Sequence, residues 1–316
     1  MNGQPNHLII GTRGTELALW QSNWVAGQLQ RINPSLTTEV TIVMTKGDAM
    51  VDAPLSRIRE VGLFTKELDI ALLDNRIHIA VHNLKDIPTS LERGLALGAT
   101  CKREDVRDVF IAHPEKRYKS FRGVPNGGTI AVGSLRRRSQ LLGLRPDLTI
   151  AEIWGNLSTK RIKLETSMWD GMLMGRAELV RLGWESMITE ILEPSIFLPA
   201  VGQGALAIEV REQDEGVREF VRQLNDAASE QSTAAERALL GELGGGFQIP
   251  IGAYGRVQGG RLKLDAMVGS LDGQKTVRGR TEGLPDQAES LGRSLAQELL
   301  SSGAKAILDE IRSQKS

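Results

Sequence analysis

Short apolar runs alternate with longer amphipathic stretches along most of the chain. The clearest run is 77–81, which is apolar and rich in β-branched residues and therefore predicts a strand buried on both faces, as in a sheet covered by helices. Four polar residues follow it: His82, Asn83, Lys85 and Asp86. Pro88 then lacks the N–H needed to continue the pairing. Open α/β sheets bind ligands beyond this end of their strands, so we expect chemistry here. The alternative is that Lys85 and Asp86 are a solvated ion pair at the strand exit.

The residues before this strand predict a βαβαβ unit. Strands are expected at 8–10 and 40–44, and helices at 16–31 and 65–75. Thr15 is a plausible N-cap of the first helix. Because a helix start presents free N–H groups and a positive dipole end, this turn, together with Arg13, suits an anion.

A second α/β unit follows a charged crossing at 101–105, which we interpret as a hinge. Its pattern predicts strands at 129–132 and 149–153 and a helix at 135–142. A loop at 154–160 enters a further helix, and 169–174 repeats the pattern. The turn-rich segment 198–205 then leads to a strand at 206–210, which is expected to re-enter the first sheet.

The last part of the chain predicts a small α+β domain. Helices are expected at 229–243 and 285–303, with strands at 252–257, 261–269 and 274–281 between them. The predicted fold is thus two α/β domains followed by one α+β domain. The expected boundaries are 1–101 with 205–222 for the first, 107–198 for the second and 227–316 for the third.

The composition of the chain argues against several classes of function. Lys plus Arg and Asp plus Glu are both 39 in 316 residues, so the balance of charge argues against broad nucleic-acid binding. The single cysteine, Cys101, cannot form an internal disulfide, and with four histidines no metal site is expected. Residues 1–6 show no signal sequence and no apolar run could span a membrane, so we expect a cytoplasmic protein with no membrane partner.

Several cations fall at predicted strand ends or helix starts. They are Arg13, Lys85, Arg136, Arg137, Lys160 and Arg181, with Asp48 and Asp86 as nearby acids. Guanidinium groups bind carboxylates through two parallel hydrogen bonds, so a cleft with these residues would suit a small molecule that carries several carboxylates. For any one arginine alone, a surface role is the competing interpretation.

At these residues the sequence resembles the porphobilinogen deaminases, also called hydroxymethylbilane synthases. The matching runs, in the order of the family, are 11–13 with 17–21, 62–68, 81–88, 103–105, 134–137, 198–204 and 248–252. They cover almost the whole chain. The resemblance implies three domains, of which the first two are like a periplasmic binding protein, with the active site between those two.

The resemblance also implies a chemistry. Members of the family join four porphobilinogen units head to tail with loss of ammonia, starting from a dipyrromethane cofactor held as a thioether on cysteine. Asp86 matches the catalytic aspartate, which can stabilise the cationic azafulvene and handle the pyrrole protons. The substrate-binding residues expected from the resemblance are Arg13, Thr15, Asp48, Lys85, Ser134, Arg136, Arg137, Asn156, Lys160 and Arg181.

Departures from the family pattern concentrate at the cofactor site. Phe247 stands where the family has its cofactor-bearing cysteine, Trp154 replaces an arginine, and Val61 replaces a lysine. Lys160 is a milder change from arginine, and Cys101 is expected to be a buried, inert thiol. Two more charges, Arg176 and Glu178, enter a segment that is usually small and apolar. Because Asp86 and most of the arginines remain, we interpret the site as remodelled and not decayed.

Three interpretations stay open from the sequence. The first is a transferase that consumes porphobilinogen-type pyrroles: either a synthase of a linear pyrrole chain that holds its primer noncovalently, with Trp154 and Phe247 stacking on pyrrole rings, or an enzyme that couples fewer units. A monomer is expected. The second is a pyrrole-binding or tetrapyrrole-binding protein without catalysis. The third is that Phe247 is an engineered substitution in an otherwise competent enzyme.

Overall fold

The structure, a computed structural model, describes residues 5–49, 62–246 and 249–313. It separates into two compact units. Unit 1 comprises the described residues up to 49, together with 62–104 and 204–230. Unit 2 comprises the described residues of 105–203 and 231–313. The three domain boundaries expected from the sequence are finer than this division and stay a prediction.

The described strands and helices are as follows. The strands are β1 (His7–Thr12), β2 (Thr37–Ile42), β3 (Ile79–Asn83), β4 (Leu95–Thr100), β5 (Asp108–Ala112), β6 (Thr129–Val132), β7 (Thr149–Glu152), β8 (Gly171–Gly175), β9 (Glu190–Leu192), β10 (Leu206–Arg211), β11 (Ile251–Gln258), β12 (Arg261–Gly269) and β13 (Thr276–Gly283). The helices are α1 (Glu16–Ile32), α2 (Lys46–Ala49), α3 (Lys66–Leu73), α4 (Leu135–Leu144), α5 (Leu157–Thr166), α6 (Arg176–Arg181), α7 (Glu215–Val221), α8 (Ala227–Glu242), α9 (Ala288–Leu299) and α10 (Lys305–Ser313).

Unit 1 is built on a five-stranded sheet in the order β2-β1-β3-β10-β4. β1 is parallel to β2 and β3, whereas β10 is antiparallel to β3 and β4. The expected βαβαβ arrangement and the return of the chain to this sheet are therefore confirmed. Ile79 and Val81 of β3 belong to the same buried cluster as residues of α1, and Ala80 to the same cluster as residues of α3. Burial on both faces, as the apolar run predicted, is confirmed.

Unit 2 contains the other two sheets. One is mixed, in the order β7-β6-β8-β5-β9, and the other is an antiparallel meander, β11-β12-β13. Residues of α8, α9 and α10, among them Leu239, Leu295 and Ile307, share one buried cluster with Leu262 and Leu264 of β12. The predicted fold class, two α/β domains and a small α+β domain, is confirmed by these three sheets.

Several boundaries differ from the sequence prediction. β3 runs to Asn83 and not to residue 81, so His82 and Asn83 lie within the strand. The predicted strand at 40–44 lies instead at Thr37–Ile42. The helix expected at 285–303 ends at Leu299, because Gly303 has a φ of 111° that only glycine adopts readily, and α10 begins after it. β4, β5, β9 and α10 were not predicted as separate elements.

Two further expectations concern burial and membrane insertion. Cys101 is a free thiol and is buried, as predicted. No helix among the described residues is long and apolar enough to cross a membrane.

A buried carboxylate joins the segment before β10 to the third sheet. Glu236 of α8 is fully buried and accepts hydrogen bonds from the backbone N–H groups of Gly202 and Gly255, each at 2.7 Å. Its two oxygens therefore satisfy two donors that would otherwise be buried without partners. Glu236 therefore stabilises the packing of this segment by accepting hydrogen bonds from its backbone.

We predict that Glu236→Gln lowers the free energy of unfolding by about 1–3 kcal/mol, because the new NH₂ group faces one backbone donor and leaves it unsatisfied. Urea unfolding measures the change. The exposed Glu298→Gln in α9 is the matched control, for which little change is expected. Equal urea midpoints for Glu236→Gln and Glu298→Gln would contradict the stabilising role of Glu236.

Candidate active site

Asp86 lies in a single turn of 3₁₀ helix, Leu84–Asp86, that follows β3 directly. The Asn83 Nδ2 donates to Asp86 Oδ2 at 3.4 Å, and Arg13 Nη1 lies 3.9 Å from the same oxygen. The side chain of Asp86 is 14% exposed, so the carboxylate is mostly enclosed while solvent and small molecules still reach it. A partly desolvated carboxylate beside one cation is suited to stabilising positive charge and to moving protons.

Arg13 connects two carboxylates of unit 1. Its Nε donates to both oxygens of Asp48, at 3.0 and 3.2 Å, and its guanidinium lies 4.2 Å from the ring centre of Phe64. Burial alone would raise the pKa of Asp48, but hydrogen bonds and charge from Arg13, with help from Thr45, outweigh it and lower that pKa. Asp48 is therefore ionised at neutral pH and fixes the orientation of Arg13 toward Asp86.

Two amide side chains at this site were not among the predicted catalytic or substrate-binding residues. Gln21, buried in α1, donates from Nε2 to Asn83 Oδ1 at 2.7 Å, and Asn83 in turn donates to Asp86. This arrangement links α1 to Asp86 through one strand residue. Gln21 belongs to the matching run 17–21 and Asn83 to the polar stretch after the apolar run. The sequence thus drew attention to both, but gave no sign that they pair.

The other predicted residues of unit 1 are also placed. The Thr15 hydroxyl accepts a hydrogen bond from the backbone N–H of Ala18, which confirms its role as N-cap of α1. Lys85 is half-buried and lies in the same short turn as Asp86. Arg13, Asp48 and Asp86 are thus brought together within unit 1. Their roles toward a substrate stay predictions.

The predicted arginines of unit 2 bind a carboxylate that the sequence analysis missed. Arg136 Nη1 donates to Asp108 Oδ2 at 2.6 Å, and Arg137 donates to Asp108 Oδ1 from Nε at 2.9 Å and from Nη2 at 2.7 Å. All three residues are buried. Burial would raise the pKa of Asp108, but the two guanidinium groups outweigh it and lower that pKa to about 2. Arg136 and Arg137 are therefore interior residues, which the competing surface interpretation did not expect.

Ser134 and Asn156 cap the two helices that follow β6 and β7. The Ser134 Oγ accepts from the N–H of Arg137, and the Asn156 Oδ1 accepts from the N–H of Thr159. Both residues thus organise the helix starts that the sequence associated with anion binding.

The remaining cations of unit 2 have distinct surroundings. Lys160 is half-buried, and a Cβ built on Gly133, just after β6, would lie 3.3 Å from its Nζ. Arg181 is buried in the last turn of α6. Arg176, one of the unusual charges, pairs with Asp105 at 2.7 Å, and Asp105 also pairs with Arg107. Lys160 therefore reaches the carboxyl end of β6, and Arg176 contributes to an ion-pair network.

The remodelled cofactor site predicted from the sequence is only partly described. Trp154 is half-buried in the loop between β7 and α5. Val61 and Phe247 lie outside the described residues.

Comparison with known proteins identifies the family. The model "Porphobilinogen deaminase, dipyromethane cofactor binding domain" matches residues 8–219, and the model "Porphobilinogen deaminase, C-terminal domain" matches residues 231–301. The chain belongs to the porphobilinogen deaminase family. The resemblance found in the sequence is thereby confirmed, and with it the class of enzyme, a porphobilinogen deaminase-like transferase.

Relatives named porphobilinogen deaminase match nearly the full length. The protein from Chlorobium phaeobacteroides is 47% identical over 96% of this chain and 98% of its own length. The one from Carboxydothermus hydrogenoformans is 45% identical over 96% and 97%, and the one from Desulforamulus reducens is 43% identical over 96% and 98%. The similarity to these deaminases therefore extends over 96% of this chain.

Solved structures of binding proteins give a weaker likeness. The methionine-binding protein MetQ covers 74% of this chain and 94% of its own, with a TM-score of 0.41 and 17% identity. A Salmonella typhimurium periplasmic binding protein with high arginine specificity covers 72% and 93%, with a TM-score of 0.42 and 13% identity. These scores are too low to add to the fold that the three sheets already define.

We predict that Asp108→Asn lowers the free energy of unfolding by about 3–5 kcal/mol at neutral pH, because it leaves Arg136 and Arg137 buried without their counter-charge. The folded-state pKa of Asp108 is depressed, so its stabilisation is present above the unfolded value near 4 and is lost as the pH falls toward 2. Urea unfolding at several pH values should show the difference from the wild type narrowing on acidification. Glu282→Gln, which removes an exposed pair with Arg261, is the control. A difference in the free energy of unfolding that stays constant across this pH range would contradict the role of ionised Asp108.

Proposed function

We propose that this protein deaminates and couples porphobilinogen-type pyrroles, with Asp86 as the catalytic carboxylate. The observation that carries the proposal is the placement of Asp86 at the carboxyl end of β3, beside Arg13 and hydrogen bonded to Asn83. When ammonia leaves the aminomethyl group, the methylene carbon becomes cationic, and a nearby carboxylate stabilises that charge. After the new carbon–carbon bond forms, the second pyrrole must lose a proton, which the same carboxylate can accept.

The carboxylate side chains of the substrate need cations. The proposal assigns this role to the predicted set, above all to Arg13 and Lys85 in unit 1 and to Arg136, Arg137 and Arg181 in unit 2. Asp108 pairs with both Arg136 and Arg137, and the charge of Glu178 also acts on Arg136. In this proposal, the guanidinium groups donate charge-assisted hydrogen bonds to a carboxylate of the substrate as well.

A covalent dipyrromethane cofactor does not fit the residues of this chain. The matched family model is named for dipyrromethane binding, which indicates that the family uses such a cofactor. At the matching position this chain has Phe247, and a phenyl ring cannot form a thioether. Its one thiol, Cys101, is 1% exposed and packs in the core of unit 1. We therefore propose that any pyrrole primer is held noncovalently.

The aromatic replacements support a noncovalent primer. Trp154 and Phe247 can each stack on a pyrrole ring, contributing about 0.5–1.5 kcal/mol beyond burial. Such contacts are much weaker than a covalent bond, so a short pyrrole chain can dissociate before it reaches full length. The number of pyrroles coupled is thus expected to be smaller or more variable than with a covalent anchor.

The second candidate is a pyrrole-binding protein without catalysis. The observation that favours it is the loss of two cations, at Val61 and Trp154, with no replacement in the matching positions. The two candidates differ in one measurable product, because only the transferase releases ammonia from porphobilinogen.

The proposal also covers the class of partner, the cellular location and the oligomeric state. The equal numbers of basic and acidic residues support a small-molecule partner and not a nucleic acid. A single buried thiol without a disulfide partner is consistent with a cytoplasmic location. We propose that the protein acts there as a monomer.

We predict that Asp86→Ala keeps the fold and reduces ammonia release from porphobilinogen to less than about a tenth of the wild-type rate. Ammonia is assayed on the purified protein and the fold by circular dichroism. The exposed Asp74→Ala serves as a control and should release ammonia at the wild-type rate. A variant at Asp86 that retains more than about a tenth of the rate would refute the catalytic role. A wild-type protein that binds porphobilinogen but releases no ammonia would favour the binding-protein candidate.

We predict that the isolated protein has the mass of its sequence and gives no cofactor colour with Ehrlich reagent. Phe247→Cys restores a nucleophile but not the missing cations, so this variant should load dipyrromethane poorly. Adding Trp154→Arg and Val61→Lys should improve loading, because they restore charge for the carboxylates of the cofactor. Intact-mass spectrometry measures all three states.

Two outcomes would overturn this part of the proposal. A wild-type protein that carries a dipyrrole mass would rule out noncovalent binding. Full loading of Phe247→Cys alone would show that the changes at Trp154 and Val61 do not affect the cofactor.

A further inference from the structure

His82 and Asn83 are neighbours in β3, and their side chains lie on opposite faces of the sheet. The packing of the strand confirms this alternation, since Ile79 and Val81 share a cluster with α1, and Ala80 shares one with α3. Asn83 accordingly bonds to Gln21 of α1. His82 is on the other face, the face that α3 covers. The end of β3 is therefore held by polar contacts on both faces.

His82 meets a carboxylate from the neighbouring strand. In the antiparallel pairing of β3 with β10, Ala80 is opposite Glu209 and His82 is opposite Ala207, so His82 and Glu209 are diagonal neighbours on one face. The His82 Nε2 lies 3.2 Å from Glu209 Oε2, and both side chains are only 2% exposed. The two residues are thus a buried pair within the sheet.

Asp69 of α3 brings a second carboxylate to this pair. One nitrogen or oxygen atom of each of Asp69, His82 and Glu209 lies within 4.8 Å of those of the other two. Thr65 donates from its hydroxyl to Asp69 Oδ2 at 3.3 Å. Each of the three residues also has a buried polar atom that makes no hydrogen bond in the structure: Asp69 Oδ1, His82 Nε2 and Glu209 Oε2. The 3.2 Å approach of His82 Nε2 to Glu209 Oε2 is therefore a close contact that lacks the geometry of a hydrogen bond. We call these three residues the β3 cluster.

Nearby charged groups are engaged elsewhere. Arg211, on the same face of β10 as Glu209, donates to the carbonyls of Leu72 and Ile77 and pairs with Asp214. In α3, Glu67 accepts from the N–H of Lys46. No lysine or arginine within the described ranges pairs with Asp69 or Glu209. Because a buried carboxylate without counter-charge is costly, protons are the available source of compensation in the β3 cluster.

The acidity of Asp69 agrees with this geometry. Burial raises the pKa of Asp69, the charge of Glu209 raises it further, and His82 opposes the change, with a result of about 6. Near neutral pH, protonation of Asp69 therefore costs much less free energy than protonation of an aspartate in water.

We propose that the β3 cluster positions Asp86: a small rotation lets an N–H at His82 Nε2 donate to Glu209, and this hydrogen bond fixes the end of β3 from which the Leu84–Asp86 turn leaves. The proposal rests on the proposed function only in taking Asp86 as the reacting group. His82 is a positioning residue, because three residues of chain separate it from Asp86 and its contacts are with Glu209 and Asp69. Both of these described partners lie within unit 1.

The protonation of His82 Nε2 is the first test and needs no variant. Nitrogen-15 spectra of the wild-type imidazoles at pH 7 should show a hydrogen on Nε2 of His82, whatever the charge of the ring. An Nε2 without hydrogen would overturn the proposal, since it could not donate to Glu209. Metal analysis of the protein as isolated should find no equimolar transition metal. A bound metal that disappears in His82→Gln would mean that a cation and not a hydrogen bond organises the β3 cluster.

Two substitutions of His82 separate a positioning role from a merely structural one. The amide nitrogen of glutamine reaches the position of Nε2, whereas that of asparagine reaches only the position of Nδ1. We expect His82→Gln to keep at least about half of the wild-type kcat, and His82→Asn to lower kcat roughly tenfold with KM changed less than about twofold. His113→Asn, at a buried histidine of unit 2, is the control and should keep kcat. Equal kcat values for the two His82 variants would refute the role of the Nε2 hydrogen bond.

A structural readout keeps this test independent of turnover. The carbon-13 shift of the Asp86 carboxyl group should move in His82→Asn and stay near the wild-type position in His82→Gln. If the wild type releases no ammonia, the proposed function fails, yet the Asp86 shift still decides whether the β3 cluster positions that carboxylate. An unchanged shift in a folded His82→Asn variant would overturn the proposal.

Asp69→Asn tests the proton balance of the β3 cluster. The folded-state pKa near 6 lies above the unfolded value of 3.8, so the native state binds more protons between these values and stability falls as the pH rises through them. Asparagine imitates the protonated carboxyl group. The variant should therefore match the wild type below about pH 4 and exceed its Tm by roughly 5 °C above about pH 7. A variant that is less stable at every pH would contradict this account.

Discussion

The end of β3 imposes the strictest requirement in unit 1. A strand covered by helices on both faces must bury whatever it carries, and this strand ends in two polar side chains on opposite faces. Asn83 is satisfied by Gln21 of α1, and His82 lies against Glu209 of β10. The turn that holds Asp86 starts immediately beyond these contacts. The polar residues at the end of β3 therefore meet side chains both from a helix that covers the strand, α1, and from a neighbouring strand, β10.

Unit 2 also buries polar side chains, and in this unit they carry full charges. Asp108 begins β5 with no exposed surface, and the guanidinium groups of Arg136 and Arg137 approach it from the first turn of α4. Ser134 caps that turn and fixes where the two arginines project. Removing water from these charges is costly, and it becomes acceptable only because each guanidinium meets a carboxylate oxygen directly. The side chains of Arg136 and Arg137 are thereby held in position by contacts within unit 2 itself.

The sequence predicted those parts of the fold that depend on local pattern. The apolar runs located most strands, and Thr15 located the start of α1, because the burial pattern of a strand and the capping of a helix depend on residues that are close in sequence. β5 was missed, since it is a short run beside a charged crossing. The partners Asp108 and Glu209 were missed for a different reason. Each is distant along the chain from the residue it pairs with, and no periodicity shows which acid will pair with which cation or histidine.

Family membership rests on similarity along almost the whole chain, whereas covalent attachment of a cofactor depends on a single residue. The family is shown by similarity along almost the whole chain, so no single substitution could change it. A thioether depends on one sulfur atom at one position, and Phe247 has none. Asp86, by contrast, keeps its partners Arg13 and Asn83, together with the buried contacts that fix them. A change at position 247 therefore leaves the evidence for the family untouched, whereas any role that needs a thiol at that position depends on that one residue.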